Sequence, residues 1–163
     1  MSILEALILG IIQGLTEFLP VSSSGHLELG KAILGDDLEA GESMLFTIAL
    51  HGATALSTVV VFRKDIADLF KWNESTKFAS FIIVSMVPVF FVGVLLKDEI
   101  ELLFEGNLLL VGCSLIFTAL LLYSTTRIPA KDGKVTFGKA LLIGIAQAVA
   151  VLPGVSRSGS TFS

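Results

Sequence analysis

The strongest constraint on this chain is a polar segment that occurs twice inside a strongly apolar sequence. The copies cover residues 10–26 and 144–160, and they align without a gap at an offset of 134. Seven aligned pairs are identical: Gly10/Gly144, Ile11/Ile145, Gln13/Gln147, Val21/Val155, Ser22/Ser156, Ser24/Ser158 and Gly25/Gly159. Each copy runs from an apolar helical stretch into a break made of Pro, Ser and Gly. A repeated, interrupted hydrophobic segment indicates a binding site near the middle of a bilayer.

The composition predicts a membrane protein. Hydrophobic residues make up 53% of the 163 residues, charged residues make up only 16%, and the mean hydropathy is +0.86. A soluble chain of this length could not bury that much apolar surface. A helix needs about 20 apolar residues to cross a bilayer, and the runs 43–62, 78–96 and 107–126 are long enough. Two shorter runs, 3–19 and 141–152, lead into the polar copies and could form spans or re-entrant segments.

The charges predict an orientation in the membrane. Of the 26 charged residues, 23 lie in four connecting segments. Segments 63–77 and 127–139 are rich in Lys and Arg, which places them in the cytoplasm. Segments 28–42 and 97–106 are mainly acidic and then face outward, so that sides alternate across the three spans. The sequence therefore predicts a multi-pass protein of the bacterial cell (inner) membrane, with His26 and the site near the periplasmic or extracellular side.

The fold class expected is an all-α integral membrane protein, a polytopic helical bundle with inverted repeats and re-entrant broken helices. If the run 3–19 crosses the membrane, the two copies enter from the same side; if it is re-entrant and begins outside, they enter from opposite sides. A helix that starts after a break directs backbone N–H groups at the gap, where they suit phosphate.

The offset of the copies also predicts a domain organisation. Residues 1–163 form a single membrane domain, with repeat one at about 1–134 and the start of repeat two at 135–163. We expect this domain to be incomplete, and the chain expressed alone to insert into membranes without hydrolysing lipid diphosphate.

Three charged residues lie outside the connecting segments and are candidates for function: Glu5, Glu17 and Arg157. Arg157 can grip phosphate oxygens with two parallel hydrogen bonds, although an arginine near a helix end can also reach the interface. Glu17 lies one helical turn after Gln13, so the two share a face. Glu17 could hold a divalent metal, accept a proton, or pair structurally with Arg157. His51 could face the same site or form an interhelical hydrogen bond.

The histidine and serines of the first break could each have a functional or a structural role. His26 can act as acid, base or nucleophile, or it can be solvated at the membrane surface. Ser22, Ser23 and Ser24 can donate to phosphate, and one of them could attack it; alternatively they cap the following helix. Three hydroxyls of the second copy are expected to donate hydrogen bonds to phosphate: Ser156, Ser158 and Thr161.

These motifs carry a specific resemblance. Gln13-x-x-x-Glu17, continued by Phe18-Leu-Pro-Val-Ser-Ser-Ser-Gly-His26, and Pro153-Gly-Val-Ser-Arg-Ser-Gly-Ser-Thr161 resemble the signatures of the undecaprenyl-diphosphatase family, also called the bacitracin resistance protein family. The resemblance implies an inner-membrane phosphatase that converts undecaprenyl diphosphate to undecaprenyl phosphate and inorganic phosphate. This reaction recycles the carrier lipid of peptidoglycan synthesis, supports cell wall biogenesis and cell shape, and confers bacitracin resistance.

The resemblance also implies roles for single residues. Glu17, His26 and Arg157 match the essential residues of the family, and Ser23 matches a serine with a proposed catalytic role. Gln13 takes an alternative that the first signature allows. Glu17 and Gln13 are the expected ligands of a divalent cation, either Mg²⁺ or Ca²⁺, since both ions prefer oxygen ligands.

A transporter or flippase for a phosphorylated lipid or another anion is the alternative function, because inverted repeats are typical of transporters. The expected partners are the polyprenyl diphosphate substrate and membrane lipid, with no nucleic acid. The sequence leaves open whether Ser23, His26 or water is the nucleophile, which metal binds, whether flipping accompanies hydrolysis, and whether the protein forms a homodimer.

Overall fold

The computed structural model describes residues 2–35, 40–69, 75–96, 99–100, 107–127 and 135–162. Within these ranges the regular structure is helical, which agrees with the predicted all-α class. The helices are α1 (Ile3–Thr16), α2 (Ser23–Leu34), α3 (Ala40–Val61), α4 (Arg63–Leu69), α5 (Ser75–Leu95), α6 (Leu108–Thr125), α7 (Phe137–Val149) and α8 (Arg157–Phe162).

All five apolar runs of the sequence form helices. Two segments, Phe78–Leu95 of α5 and Leu108–Thr125 of α6, are long and apolar enough to cross a membrane. The apolar parts of the other three helices are shorter: Ile3–Thr16, Leu45–Val61 and Phe137–Val149. The segments from which an orientation was predicted lie partly outside the described residues.

The interior of the described part of the chain is unusually polar, and its surface is unusually apolar. Seven polar or charged residues are buried: Gln13, Ser22, Lys31, Thr54, Ser114, Thr118 and Ser156. Large apolar side chains are exposed on every apolar helix; Leu109 of α6, for example, is 80% exposed. A soluble monomer rarely exposes contiguous apolar surface on this scale. The distribution favours helices whose outer faces contact lipid.

Helices α5 and α7 form the most extensive helix pair, and a glycine allows their close approach. A Cβ atom on Gly144 of α7 would lie 2.5 Å from the Ser85 carbonyl oxygen and 3.0 Å from the Pro88 ring. Pro88 lies inside α5, where it removes a backbone donor and crowds the preceding turn. Only glycine fits at position 144 without a shift of one helix.

Both sequence copies fold as helix, break and helix. In the first copy α1 ends at Thr16, and α2 begins at Ser23. In the second copy α7 ends at Val149, and α8 begins at Arg157. Ser23 and Arg157 are aligned at the offset of 134, so the helix after each break starts at the same position of the repeat. The predicted breaks are confirmed, whereas opposite orientations of the copies remain a prediction.

Candidate functional site

A serine caps the helix that follows each break. The Ser22 hydroxyl accepts a hydrogen bond from the Gly25 N–H at 3.4 Å, and the Ser156 hydroxyl accepts one from the Gly159 N–H at 3.0 Å. Such caps satisfy backbone donors that have no partner within the helix. The helix-capping reading is therefore confirmed for Ser22, and the structure adds Ser156 as a second capping serine.

The capping serines also pair with a second serine two residues later. The Oγ atoms of Ser22 and Ser24 are 3.3 Å apart, and those of Ser156 and Ser158 are 3.2 Å apart. Ser22 has a backbone φ of 65°, which is uncommon for a residue other than glycine and marks local strain. Each break thus presents two neighbouring hydroxyls that could donate to an anion.

The two breaks pack against each other. A Cβ atom on Gly25 would lie 3.0 Å from the Gly154 Cα atom and 3.0 Å from the Leu115 side chain. A Cβ atom on Gly159 would lie 3.4 Å from the Pro20 carbonyl oxygen. The backbones therefore meet where glycine leaves room for them, and the copies contribute to one region of the molecule.

Helix α6 holds the second break in place. The Thr118 hydroxyl donates to the Gly154 carbonyl at 3.0 Å and accepts from the Ser156 N–H at 3.0 Å. Thr118 is only 3% exposed. One buried hydroxyl therefore satisfies a donor and an acceptor of an irregular segment, as buried backbone requires.

The carboxylate of Glu17 collects hydrogen bonds from both sides of the first break. Its Oε2 atom accepts from Ser23 Oγ at 2.5 Å and from Gln13 Nε2 at 2.9 Å. The side-chain neighbourhood of Gln13 and Glu17 was predicted from their spacing and is confirmed. The contact with Ser23 places a potential base next to a potential nucleophile.

Gln13 is buried with one oxygen unpaired. Its Nε2 atom also lies 3.4 Å from Thr54 Oγ1. That hydroxyl donates to the His51 carbonyl at 2.9 Å, so it accepts from Gln13. This arrangement fixes which end of the amide faces Glu17. The Oε1 atom has no hydrogen-bond partner among the described residues, which is costly for a buried acceptor.

His51 of α3 approaches the same carboxylate from a third direction. Its Nδ1 atom lies 2.9 Å from the Thr47 carbonyl oxygen, and its Nε2 atom lies 3.8 Å from Glu17 Oε2. Of the two readings that the sequence left open, the structure places His51 next to Glu17. The name Glu17 cluster is used below for five residues: Gln13, Glu17, Ser23, His51 and Thr54.

His26 lies one turn into α2, with its ring fixed at one nitrogen. The Nδ1 atom is 2.9 Å from the Ser22 carbonyl oxygen. A carbonyl only accepts hydrogen bonds, so Nδ1 carries the proton and Nε2 is the basic nitrogen of the neutral ring. His26 is half-buried. It therefore has the geometry of a fixed proton acceptor, and its nucleophilic or acid–base role stays a prediction.

Arg157 makes no contact with the Glu17 cluster among the described residues. Its exposed side chain lines a cavity of about 540 Å³ between α5 and α7, together with Gln147, Ile83, Met86 and Phe90. Within the described ranges its guanidinium makes no ion pair or hydrogen bond, and it does not pair with Glu17. The cation is therefore available for a ligand that reaches this cavity.

Thr161 is engaged within its own helix. Its hydroxyl donates to the Arg157 carbonyl at 2.8 Å. The predicted hydrogen bond from Thr161 to phosphate is not tested by this contact, since a hydroxyl can also accept or reorient.

Sequence reasoning missed Thr54 and Thr47 as parts of the site region. They share a stripe with His51 and Thr58, at spacings of three or four residues along the apolar α3. Such spacing places side chains on one helix face, so a polar stripe in an apolar helix was the available signal. Thr118 gave a similar signal four residues after Ser114 in α6.

Comparison with known proteins shows what this chain is similar to. The family model described as "Bacitracin resistance protein BacA" matches residues 6–163. Three curated relatives carry the name undecaprenyl-diphosphatase. That of Christiangramia forsetii is 57% identical and that of Bacteroides thetaiotaomicron is 48% identical, and each match covers all of this chain and 64% of the relative. That of Methanosphaera stadtmanae is 41% identical over all of this chain and 66% of the relative. The chain thus spans slightly less than two thirds of the length of the first two.

Proposed function

This chain belongs to the bacitracin resistance protein family, and from that premise we propose that it hydrolyses undecaprenyl diphosphate to undecaprenyl phosphate and inorganic phosphate. The observation that supports this most directly is the 2.5 Å contact between Ser23 Oγ and Glu17 Oε2. A hydroxyl paired with a carboxylate is the arrangement of an activated nucleophile and its base. The names of the relatives agree with this chemistry.

In the proposed reaction Ser23 Oγ attacks the terminal phosphorus while its proton passes to Glu17. The bond from that phosphorus to the bridging oxygen breaks, and undecaprenyl phosphate leaves. Water then attacks the phosphoserine, which releases inorganic phosphate and restores the hydroxyl. The Nε2 atom of His26, one turn into α2, is a basic nitrogen that could accept the proton of this water.

Positive charge and hydrogen-bond donors must balance the phosphates. Phosphoryl transfer depends mainly on positioning and electrostatic stabilisation. The guanidinium of Arg157 is without a protein partner in the described chain, and the serine pairs of both breaks can donate hydrogen bonds. In this proposal Arg157 binds a phosphate, and the polyprenyl tail stays among the exposed apolar side chains.

A divalent cation fits the Glu17 cluster. The unpaired Gln13 Oε1 atom and the Glu17 carboxylate are hard oxygen donors, which Mg²⁺ and Ca²⁺ prefer. No group of three or more His, Cys, Asp or Glu that could hold a metal occurs in the described residues, so phosphate oxygens of the substrate would complete the coordination. When bound, such a cation neutralises charge on the diphosphate.

We further propose that the protein is a multi-pass protein of the cell membrane and that its two copies are inverted repeats. Support comes from the matching helix, break and helix of the copies and from the Lys/Arg-rich segments 63–77 and 127–139. The inverted arrangement would bring the two broken helices together from opposite sides, with the site open toward the periplasm.

Transport or flipping of a phosphorylated lipid is the second candidate, since the two breaks meet in one region, as in transporters built from broken helices. The test is phosphate release from undecaprenyl diphosphate by protein made from its complete gene and reconstituted in liposomes. A parallel assay follows labelled lipid across the bilayer.

Comparison of Ser23→Ala with Ser124→Ala sharpens that test. Ser124 lies in the last turn of α6 and bonds only to the Leu121 carbonyl in the described structure. We expect Ser23→Ala to lose about 10²-fold or more in kcat, while Ser124→Ala keeps the parent rate. Phosphate release unchanged by Ser23→Ala would leave His26 or water as the nucleophile. Lipid crossing without phosphate release would favour the transporter.

A further inference from the structure

We propose that His51 is a positioning residue that holds the Glu17 carboxylate against Ser23. This inference rests on the proposed function of the Glu17 cluster. His51 lies on α3, whereas Glu17 caps the end of α1 and Ser23 begins α2. Three different elements therefore converge on one carboxylate oxygen.

The orientation of the His51 ring follows from its backbone partner. Nδ1 lies 2.9 Å from the Thr47 carbonyl, which can only accept, so Nδ1 is the donor. This bond turns Nε2 toward Glu17 Oε2, at 3.8 Å. The distance is that of an ion pair and is longer than a hydrogen bond. The ring consequently restrains the carboxylate by contact, and attracts it whenever both ring nitrogens carry a proton.

The side chain of Thr47 on α3 is itself bonded to α2. The Lys31 ammonium donates to Thr47 Oγ1 at 2.8 Å and to Glu28 Oε1 at 2.9 Å. The Lys31 and Glu28 side chains are only 9% and 15% exposed. Charges buried to this degree must be paired and hydrogen-bonded. The Lys31–Thr47 bond therefore sets the register of α3 against α2, which decides where His51 lies.

Glu17 needs such a restraint because it stands beyond the last helical residue of α1. Its side chain is 32% exposed, and a long, partly exposed carboxylate can rotate among several rotamers. Gln13 and Ser23 each donate one hydrogen bond to Oε2. Among the described residues, the His51 ring is the third group next to this oxygen. Loss of the ring would let the carboxylate turn away from Ser23, and both base and nucleophile would lose their alignment.

A double-mutant cycle in thermal unfolding tests the contact without any turnover. The four proteins are the parent, His51→Leu, Glu17→Gln and the double variant, each purified in detergent. We expect His51→Leu to lower Tm in the parent, and to lower it by about 3 °C less when Glu17 is already Gln. Equal shifts in both backgrounds would overturn the proposal, because they would show that His51 only packs.

Kinetics separate positioning from a general loss of structure. His51→Leu is expected to lower kcat about tenfold, as loss of outer-shell partners commonly does, with KM for the lipid diphosphate changed less than about twofold. His51→Gln should recover most of kcat, since an amide on the same side of the carboxylate can restrain it by donating a hydrogen bond. The matched control is Thr58→Val, further along the same polar stripe and bonded to the Thr54 carbonyl at 3.0 Å.

Two outcomes of these kinetics contradict the positioning role. One is a loss in His51→Leu that Thr58→Val reproduces; the other is a His51→Gln variant no better than His51→Leu. If the parent releases no phosphate, the proposed function fails, whereas the cycle in Tm still decides whether His51 restrains Glu17.

Discussion

Among single residues, Glu17 has the largest number of proposed roles, because one of its oxygens contacts several side chains. Its Oε2 atom accepts from Gln13 and Ser23 and faces His51. Beside it, the Gln13 Oε1 atom is buried without a partner in the described chain. This buried acceptor and the Glu17 carboxylate are the two protein ligands of the proposed cation site. A change at Glu17 therefore affects the base next to Ser23 and the proposed cation site together.

Glu17→Gln is expected to raise the Mg²⁺ concentration for half-maximal activity about tenfold or more, with a smaller effect on lipid binding. The amide removes the negative charge but keeps the size of the side chain. Phosphate release measured against Mg²⁺ and Ca²⁺ concentration gives the result. Glu5→Gln is the control, since Glu5 is on the same helix and bonds only to Ser2. Titration curves that coincide with the parent would exclude Glu17 as a cation ligand.

Arg157→Lys is expected to lose most activity although the charge is kept. Lysine cannot form the two parallel hydrogen bonds of a guanidinium with phosphate, and a loss of about 10²-fold in kcat/KM is the expected scale for such a contact. Arg127→Lys is the matched control, because Arg127 is exposed and contacts Tyr123 at 2.6 Å. Near-parent turnover of Arg157→Lys would reduce Arg157 to an interfacial anchor.

Some contacts of Glu17 can be predicted from the sequence, and others cannot. Gln13 and Glu17 are four residues apart in one helical run, so their contact follows from helix geometry. Ser23 reaches Glu17 only because the chain reverses through a break in which Ser22 has a φ of 65°, and no local pattern announces that conformation. His51 contacts Glu17 across 34 residues, so its position depends on how α3 packs.

Between elements, an α6 threonine rather than regular structure holds the second break. Thr118 satisfies the Gly154 carbonyl and the Ser156 N–H at the same time. Irregular backbone at membrane depth is tolerated where protein covers it and satisfies its polar groups. The second break therefore depends on α6, a helix that lies far from it in sequence.

Thr118→Val should lower the free energy of unfolding by about 1–3 kcal/mol, because it leaves two buried backbone groups unpaired at constant side-chain volume. Thermal or denaturant unfolding in detergent measures the change. Thr125→Val, in the last turn of the same helix, is the control, because its hydroxyl bonds only to the Leu122 carbonyl. Similar stability of the two variants would mean that the second break is held by other contacts.

Helix ends show how hydropathy alone misplaces an element. The apolar run read from the sequence covers residues 141–152, whereas α7 covers Phe137–Val149. Thr136 caps the helix by accepting from the Lys139 N–H at 3.4 Å, so a charged residue lies in its first turn. At the other end the backbone leaves the helix before Pro153. Capping chemistry, rather than apolar content, sets both ends.

Across the whole molecule, polar groups lie inside and apolar side chains outside. Buried Gln13, Lys31 and Thr118 contrast with exposed Ile3 and Leu109, at 84% and 80%. The exposed apolar surface was predicted from composition, since 53% hydrophobic residues cannot all be buried in a chain of this size. The direction in which each copy enters the membrane does not follow from burial, because burial is the same for either orientation.

Cysteine labelling decides that direction at the start of α1. In a Cys113→Ser background, Ile3→Cys is compared with Lys64→Cys, expected in the cytoplasm by the positive-inside rule, and Glu99→Cys, expected outside. Ile3 is preferred to Ser2 because the Ser2 hydroxyl caps α1 by accepting from the Glu5 N–H.

A membrane-impermeant maleimide applied to intact spheroplasts should label Ile3→Cys together with Glu99→Cys. A re-entrant α1 begins outside, whereas α7 follows the cytoplasmic segment 127–139, so the copies then enter from opposite sides. Labelling of Ile3→Cys only after the membrane is opened, as for Lys64→Cys, would mean that the first segment crosses the bilayer and that the copies are parallel.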